Sequence, residues 1–176
     1  MTQKSLTAVY LRRGKEESLE RCHPWIFSGA IERITEGLKP LSEGDIVDVY
    51  TKQGNFIARG HYQIGSIAVR VLSFEEESID QAWWNRRIAA AKALRESLGM
   101  VDNAQTSCYR LIHGEGDLLP GLVVDIYERT AVVQCHSVGM YHSRSQIAEA
   151  IREAYGDRIE AIYDKSSQTL PYKAEL

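Results

Sequence analysis

Apolar and polar side chains alternate loosely over residues 6–12, LTAVYLR, which predicts a first β-strand ended at Gly14. A charged stretch, residues 15–21, then leads into Cys22-His23-Pro24-Trp25. Pro24 fixes its own φ and disfavours the helical region for His23, so His23 is expected to be extended. Proline also suits the first position of a helix. A short helical turn over Trp25 to Phe27 is therefore expected, stopped by Ser28-Gly29, with Trp25 and Phe27 read as core residues and base stacking by an exposed Trp25 as the alternative. Residues 30–34, 46–50, 56–62 and 67–72 then read as short strands. The turn signals Glu43-Gly44-Asp45 and Lys52-Gln53-Gly54-Asn55 separate them. Short strands with regular glycine-containing turns predict a small barrel or sandwich.

The period changes at residue 78. Ser78, with Gln81 three positions on, forms a capping box. Trp84, Ile88, Ala91, Leu94 and Leu98 then recur at helical spacing up to Gly99, a suitable C-terminal stop. Arg86, Lys92 and Arg95 fall away from that stripe and read as a solvated face, with a phosphate-contacting face as the alternative. Strands are expected over 109–113, 122–127, 131–136 and 159–163, with a turn at Gly114-Glu115-Gly116-Asp117. A helix from about residue 141 to 155 carries Ile147, Ala150, Ile151 and Ala154 on one face. The expected class is α+β: a β barrel over residues 1–75, then a strand-strand-helix-strand domain over 76–176 with a mixed or antiparallel sheet and two helices. Residues 172–176 carry no clear capping element, which reads as a truncation.

Length and charge narrow the choice of function. The 176 residues suffice for one compact domain or two small ones. No run of about 18 apolar residues occurs, so no membrane span is expected. The opening MTQKSLTAVYLRRG lacks the apolar stretch of a signal peptide, which points to the cytoplasm. Residues 1–75 hold 10 Lys/Arg against 9 Asp/Glu, and residues 76–176 hold 11 against 15, for a net charge of −3. Any basic surface is therefore a local patch, and a tight, self-sufficient RNA binder is disfavoured.

Signatures of catalysis are sparse. Cys22, Cys108 and Cys135 are far apart and lack C-x-x-C spacing, so neither a disulfide framework nor a zinc site is expected. Cys135, in an apolar run, reads as a buried thiol. No G-x-G-x-x-G or P-loop occurs; Gly114-Glu115-Gly116 supplies a G-x-G but opens a strand instead of a helix. Ser137, His136 and Asp125 make a triad on paper only, and Glu115 with Asp117 reads equally as paired carboxylates or as turn chemistry. No catalytic, cofactor-binding or metal-binding residue is assigned.

Two segments carry a resemblance. Residues 21–31, Arg-Cys-His-Pro-Trp-Ile-Phe-Ser-Gly-Ala-Ile, resemble the H-P-W-[IV]-F-S-G-A-I signature of the RlmI family of bacterial methyltransferases. Tyr109-Arg110-Leu111-Ile112, Glu115-Gly116-Asp117 and Leu119-Pro120-Gly121-Leu122-Val123-Val124-Asp125 resemble that family's central stretch, in the same order. Leu118 stands where the family pattern has glycine. The resemblance implies an N-terminal PUA domain and a central α+β domain. It further implies a parent enzyme that methylates cytosine C5 in large-subunit ribosomal RNA, using S-adenosylmethionine (SAM) and a cysteine thiolate that adds to C6. It places the Rossmann-like catalytic domain beyond residue 176, so this stretch alone is expected to be inactive and to bind no SAM.

What remains under that resemblance is RNA recognition. Arg12, Arg13, Lys15 and Arg21 flank the His-Pro-Trp turn as phosphate contacts, and His23 is a candidate for a base or phosphate. Two other readings stay open: a complete, non-catalytic RNA-binding protein, and a protein-interaction or dimerisation module, which the negative balance of residues 76–176 would suit.

Overall fold

The computed structural model describes residues 6–171. The chain divides into two compact units between Glu77 and Ser78. In the first, β1 (Thr7–Leu11), α1 (Glu17–Glu20), β2 (Trp25–Phe27), β3 (Ile31–Thr35), β4 (Ile46–Tyr50), β5 (Phe56–Tyr62) and β6 (Ile67–Ser73) follow in order. The six strands form one sheet in the order β2-β6-β5-β4-β1-β3. β1 runs parallel to β4; every other pairing is antiparallel. The two end strands, β2 and β3, are joined by a single 3-10 turn, Ser28–Ala30. The sheet therefore curls until its ends approach at that turn. Two backbone bonds hold it there: Arg12 N–H donates to the Ala30 carbonyl at 2.8 Å, and Ser28 N–H to the Ser66 carbonyl at 2.9 Å.

Alternation along each strand sends one set of side chains inward. Val9, Leu11, Val47, Val49, Ala58, Val69 and Val71, with Leu19 from α1 and Ile26 from β2, make one buried cluster. Gly60 is required by the close approach of β6, because a Cβ there would lie 2.2 Å from the Arg70 carbonyl oxygen.

The segment after Pro24 is a strand, not the expected helical turn. Three residues cannot meet the cost of helix nucleation. A sheet partner is at hand: Val71 N–H donates to the Pro24 carbonyl at 2.8 Å, and Ile26 pairs with Val69. Strand geometry then buries Ile26 and leaves Phe27 49% exposed, with Trp25 half-buried. The expected core packing of Trp25 and Phe27 is corrected accordingly.

The second unit contains α2 (Gln81–Ser97), β7 (Cys108–His113), β8 (Leu122–Tyr127), β9 (Thr130–Cys135), α3 (Val138–His142), α4 (Arg144–Tyr155) and β10 (Ala161–Asp164). Its four-stranded sheet has the order β10-β9-β8-β7. The helical crossover through α3 and α4 makes β10 parallel to β9, while the hairpin-linked strands are antiparallel. The result is a mixed α+β unit in which α2 packs against α4 and against β7.

Three details differ from expectation. Asp80, not Ser78, caps α2: its Oδ1 accepts from Trp83 N–H at 2.9 Å, and the helix opens at Gln81. The buried stripe is Trp84, Ile88, Ala91 and Arg95, while Leu94 and Leu98 are 48% and 60% exposed. Arg95 can be buried because Asp117 neutralises it. Finally, the helix expected from residue 141 is two helices, broken at Ser143, with Ser137 capping the first through Met140 N–H.

Candidate nucleic-acid interface

The site is built where the chain leaves β1, turns through α1 and enters β2. One helical turn buries Leu19 and ends at Cys22, whose φ of 58° is left-handed. That conformation reverses the chain: Cys22 N–H donates to the Leu19 carbonyl at 2.8 Å, and His23 N–H to the Ser18 carbonyl at 3.0 Å. β2 follows at the end of the sheet.

His23 Nδ1 accepts the Trp25 backbone N–H at 3.2 Å, which orients the imidazole. The His23 and Trp25 rings meet edge to face, 5.9 Å between centroids at 81°, and Trp25 and Phe27 likewise at 6.4 Å and 90°. A groove of about 350 Å³ runs beside this ladder, lined by Lys15, Ser18, Leu19, Trp25, Ile26, Phe27, Gly29 and Ala30.

Arg12, Arg13, Lys15, Arg21 and His23 are all exposed. Lys15 shares the groove with Trp25 and Phe27, and Arg12 is anchored through its backbone to Ala30. Arg13 and Arg21 stand on the segments entering and leaving α1 and are not among the groove's lining residues. Of the acidic neighbours, Glu17 and Glu20 are exposed, whereas Glu16 turns one carboxylate oxygen inward, away from water. Sequence reasoning favoured the core for Trp25 and Phe27 and did not foresee their packing as a ladder. Its signal was present: Trp25 and Phe27 are two residues apart, and share a face once the segment is read as a strand.

The motif residues of the second unit do structural work. Asp117 accepts two bonds from Arg95, at 2.5 and 2.8 Å, and one from His113 N–H at 2.6 Å. Arg95 Nε also donates to the Arg110 carbonyl at 3.0 Å. Arg95 is thus not part of a solvated face. Arg110 is held by Asp125 at 2.8 and 3.0 Å. Leu118 adopts a left-handed φ of 57°, which explains why glycine suits that position in the resembling pattern.

Gly114–Asp117 is a 3-10 turn leading to β8, its Asp117 carboxylate is occupied by Arg95, and no helix N-terminus follows. Asp125 and Ser137 are engaged by Arg110 and by the α3 cap, so the paper triad is not assembled. Burial pushes the Cys135 thiol up to about 11, which keeps it protonated and unreactive near neutral pH. Among the described residues, no group of three or more His, Cys, Asp or Glu side chains could hold a metal ion. Nor is any helix among them long and apolar enough to cross a membrane.

Comparison with known proteins adds the lineage. The family described as a PUA-like domain matches residues 9–74. Ribosomal RNA large subunit methyltransferase I from Photobacterium profundum is 39% identical over 172 residues, covering 97% of this chain and 42% of the relative. Its counterpart from Erwinia tasmaniensis is 39% identical over 170 residues, covering 96% and 41%. A structure from Streptococcus mutans, assigned as a SAM-dependent methyltransferase, superposes with a TM-score of 0.73 at 18% identity, covering 90% of this chain and 40% of that one, which supports the fold. The chain spans about two fifths of the length of the curated relatives it matches. Over 97% of its length, the chain is similar to ribosomal RNA large subunit methyltransferase I, and within it residues 9–74 match the PUA-like domain family.

Proposed function

We propose that this chain is the RNA-recognition portion of a SAM-dependent methyltransferase that acts in the cytoplasm on cytosine C5 of large-subunit ribosomal RNA. The observation that carries this reading is the 39% identity over 172 residues to ribosomal RNA large subunit methyltransferase I. Residues 1–75 form the RNA-contacting module, a PUA barrel, and residues 76–176 the central α+β domain. Arg12, Arg13, Lys15 and Arg21 contact phosphates, and His23 contacts a base or phosphate. Methyl transfer and SAM binding lie in the part of such an enzyme that this chain does not span.

The test is a salt titration of ribosomal RNA fragment binding by residues 1–176. If about three phosphates are neutralised, log affinity should fall with log salt with a slope of roughly −2 on single strands. An Arg12, Arg13 and Lys15 triple alanine variant should bind more weakly, with a flatter slope. Equal affinity and slope in both proteins would remove the patch. Calorimetry with SAM should show no binding; a stoichiometric isotherm would overturn the assignment of cofactor binding elsewhere.

A further inference from the structure

We infer that the outer face of the first unit's sheet carries a further RNA contact: the Arg33 guanidinium, laid over the Tyr10 ring, is a shelf on which one unpaired base stacks, with the neighbouring phosphate at its edge. This rests on the RNA-recognition reading above. It goes beyond that reading by placing a base contact on β3 and β1, which that reading leaves unassigned.

Four planar side chains stand in a row across β3, β1, β4 and β5. Register sets Arg33 opposite Tyr10, Tyr10 opposite Tyr50, and Tyr50 opposite Phe56. Val9, Leu11 and Val49, the sequence neighbours of the two tyrosines, are fully buried, so alternation turns the row to the face opposite the core. The Arg33 guanidinium carbon lies 3.5 Å over the Tyr10 ring centroid. Tyr10 stacks on Tyr50 at 5.4 Å and 25°, and Tyr50 meets Phe56 edge to face at 6.0 Å and 84°. The three rings are half-buried, whereas Arg33 is exposed. The rings thus pack on one another, and the guanidinium at the end of the row is the planar group presented to water. Thr35 Oγ1 accepts one of its N–H groups at 2.9 Å, which holds the plane from its edge. A side chain pinned by a ring and a hydroxyl has already lost rotamer freedom, so a ligand meets it preorganised.

The chemistry selects the ligand. A guanidinium offers a flat face and a fork of N–H donors along its edge. The inner face of Arg33 lies on Tyr10, and its outer face suits the π-face of a base. The other N–H groups of the fork suit a phosphate oxygen. A base within a duplex has both faces stacked and cannot use the shelf; an unpaired base can. A protein carboxylate would take the edge alone and leave the plane without a role. Charge agrees with a phosphate chain. The acidic neighbours of the row have other partners, Glu32 pairing with Lys52 at 3.0 Å and Asp48 with Arg59 at 2.6 Å. Arg12, two residues beyond Tyr10, is exposed.

The experiment measures binding of residues 1–176 to a labelled single-stranded RNA 12-mer and to its duplex. Wild type is compared with Arg33→Lys, Arg33→Ala, Tyr10→Phe and the Arg12, Arg13 and Lys15 triple alanine variant. Arg33→Lys keeps the charge and removes the plane. It should weaken single-strand binding about tenfold with an unchanged salt slope, and leave duplex binding untouched. Arg33→Ala should weaken it at least as much and flatten the single-strand slope by about 0.7, the share of one phosphate. Tyr10→Phe keeps the supporting ring and should bind as wild type does. Urea midpoints establish that each variant is folded. If Arg33→Lys binds the single strand as wild type does, or weakens both RNAs equally, the shelf is overturned. In either case the cationic patch survives if the triple variant still weakens binding. If wild type binds neither RNA, the patch and the shelf fall together.

Discussion

The two units end their sheets in opposite ways. β2 closes the first sheet as a three-residue strand bearing Trp25 and Phe27 beside exposed cations. β7 closes the second with two of its backbone groups held by side chains: the Arg110 carbonyl accepts from Arg95, and the His113 N–H donates to Asp117. An end strand is a template for unwanted pairing unless it is shortened, charged or covered. The first unit shortens its edge and leaves the side chains available. The second covers its edge with a buried ion pair and thereby consumes the charges. The same residue type, arginine, thus stays in water in one place and covers an edge in the other. What separates the two is whether a carboxylate lies within reach.

Breaking the covered edge should have the largest effect. The Arg95 and Asp117 side chains are 10% and 5% exposed, so Arg95→Met strands a buried carboxylate. The expected loss is about 3–5 kcal/mol in urea denaturation. A change below 1 kcal/mol would mean that water reaches Asp117, and that the contrast between the edges is weaker than drawn.

Next comes the backbone behind the open edge. Gly60→Ala drives a Cβ against the Arg70 carbonyl, and Arg70 pairs with Trp25 across the sheet. A loss of about 1–3 kcal/mol is expected, with altered Trp25 fluorescence. Removing the open edge's own ring should cost less: Phe27→Ala should lower stability by about 1 kcal/mol, since half of the ring is already in water. A loss above 3 kcal/mol would place Phe27 in the core and undo the contrast between the edges.

The smallest effect should have the opposite sign. Leu118 is 43% exposed with a φ of 57°, a conformation that costs an L-residue about 1–2 kcal/mol. Leu118→Gly should therefore stabilise the second unit by about 0.5–1 kcal/mol, once glycine's greater unfolded-state freedom is offset. A lower melting midpoint would show that the exposed leucine makes a contact worth more than the strain it imposes.

Much of the strand pattern was legible because alternation is a local signal. Ile46–Tyr50, Phe56–Tyr62 and Leu122–Tyr127 fall on the expected residues. The misread places are those where a local preference met a non-local partner. Pro24 favours a helix start in isolation, yet the β6 backbone was available to Trp25–Phe27. Leu94 and Leu98 fit a helical stripe on hydrophobicity alone, yet Arg95 is the inward residue because Asp117 awaits it from a turn 22 residues later. Within the interface, the cations were legible as a cluster in sequence. The aromatic ladder was not, since its existence depended on that strand assignment.

By itself the sequence determined where apolar residues alternate, where glycines permit turns, and which segments resemble RNA-modifying enzymes. These follow from side-chain chemistry and spacing within a few residues. Tertiary structure alone decided which arginines are buried and which rings face water. Both depend on what another stretch of chain brings alongside: a carboxylate at Asp117 for Arg95, and a β6 backbone that turns Ile26 inward and Phe27 out. Burial of a charge or exposure of a ring is a property of that pairing, because desolvation is offset only by a partner that local sequence does not contain.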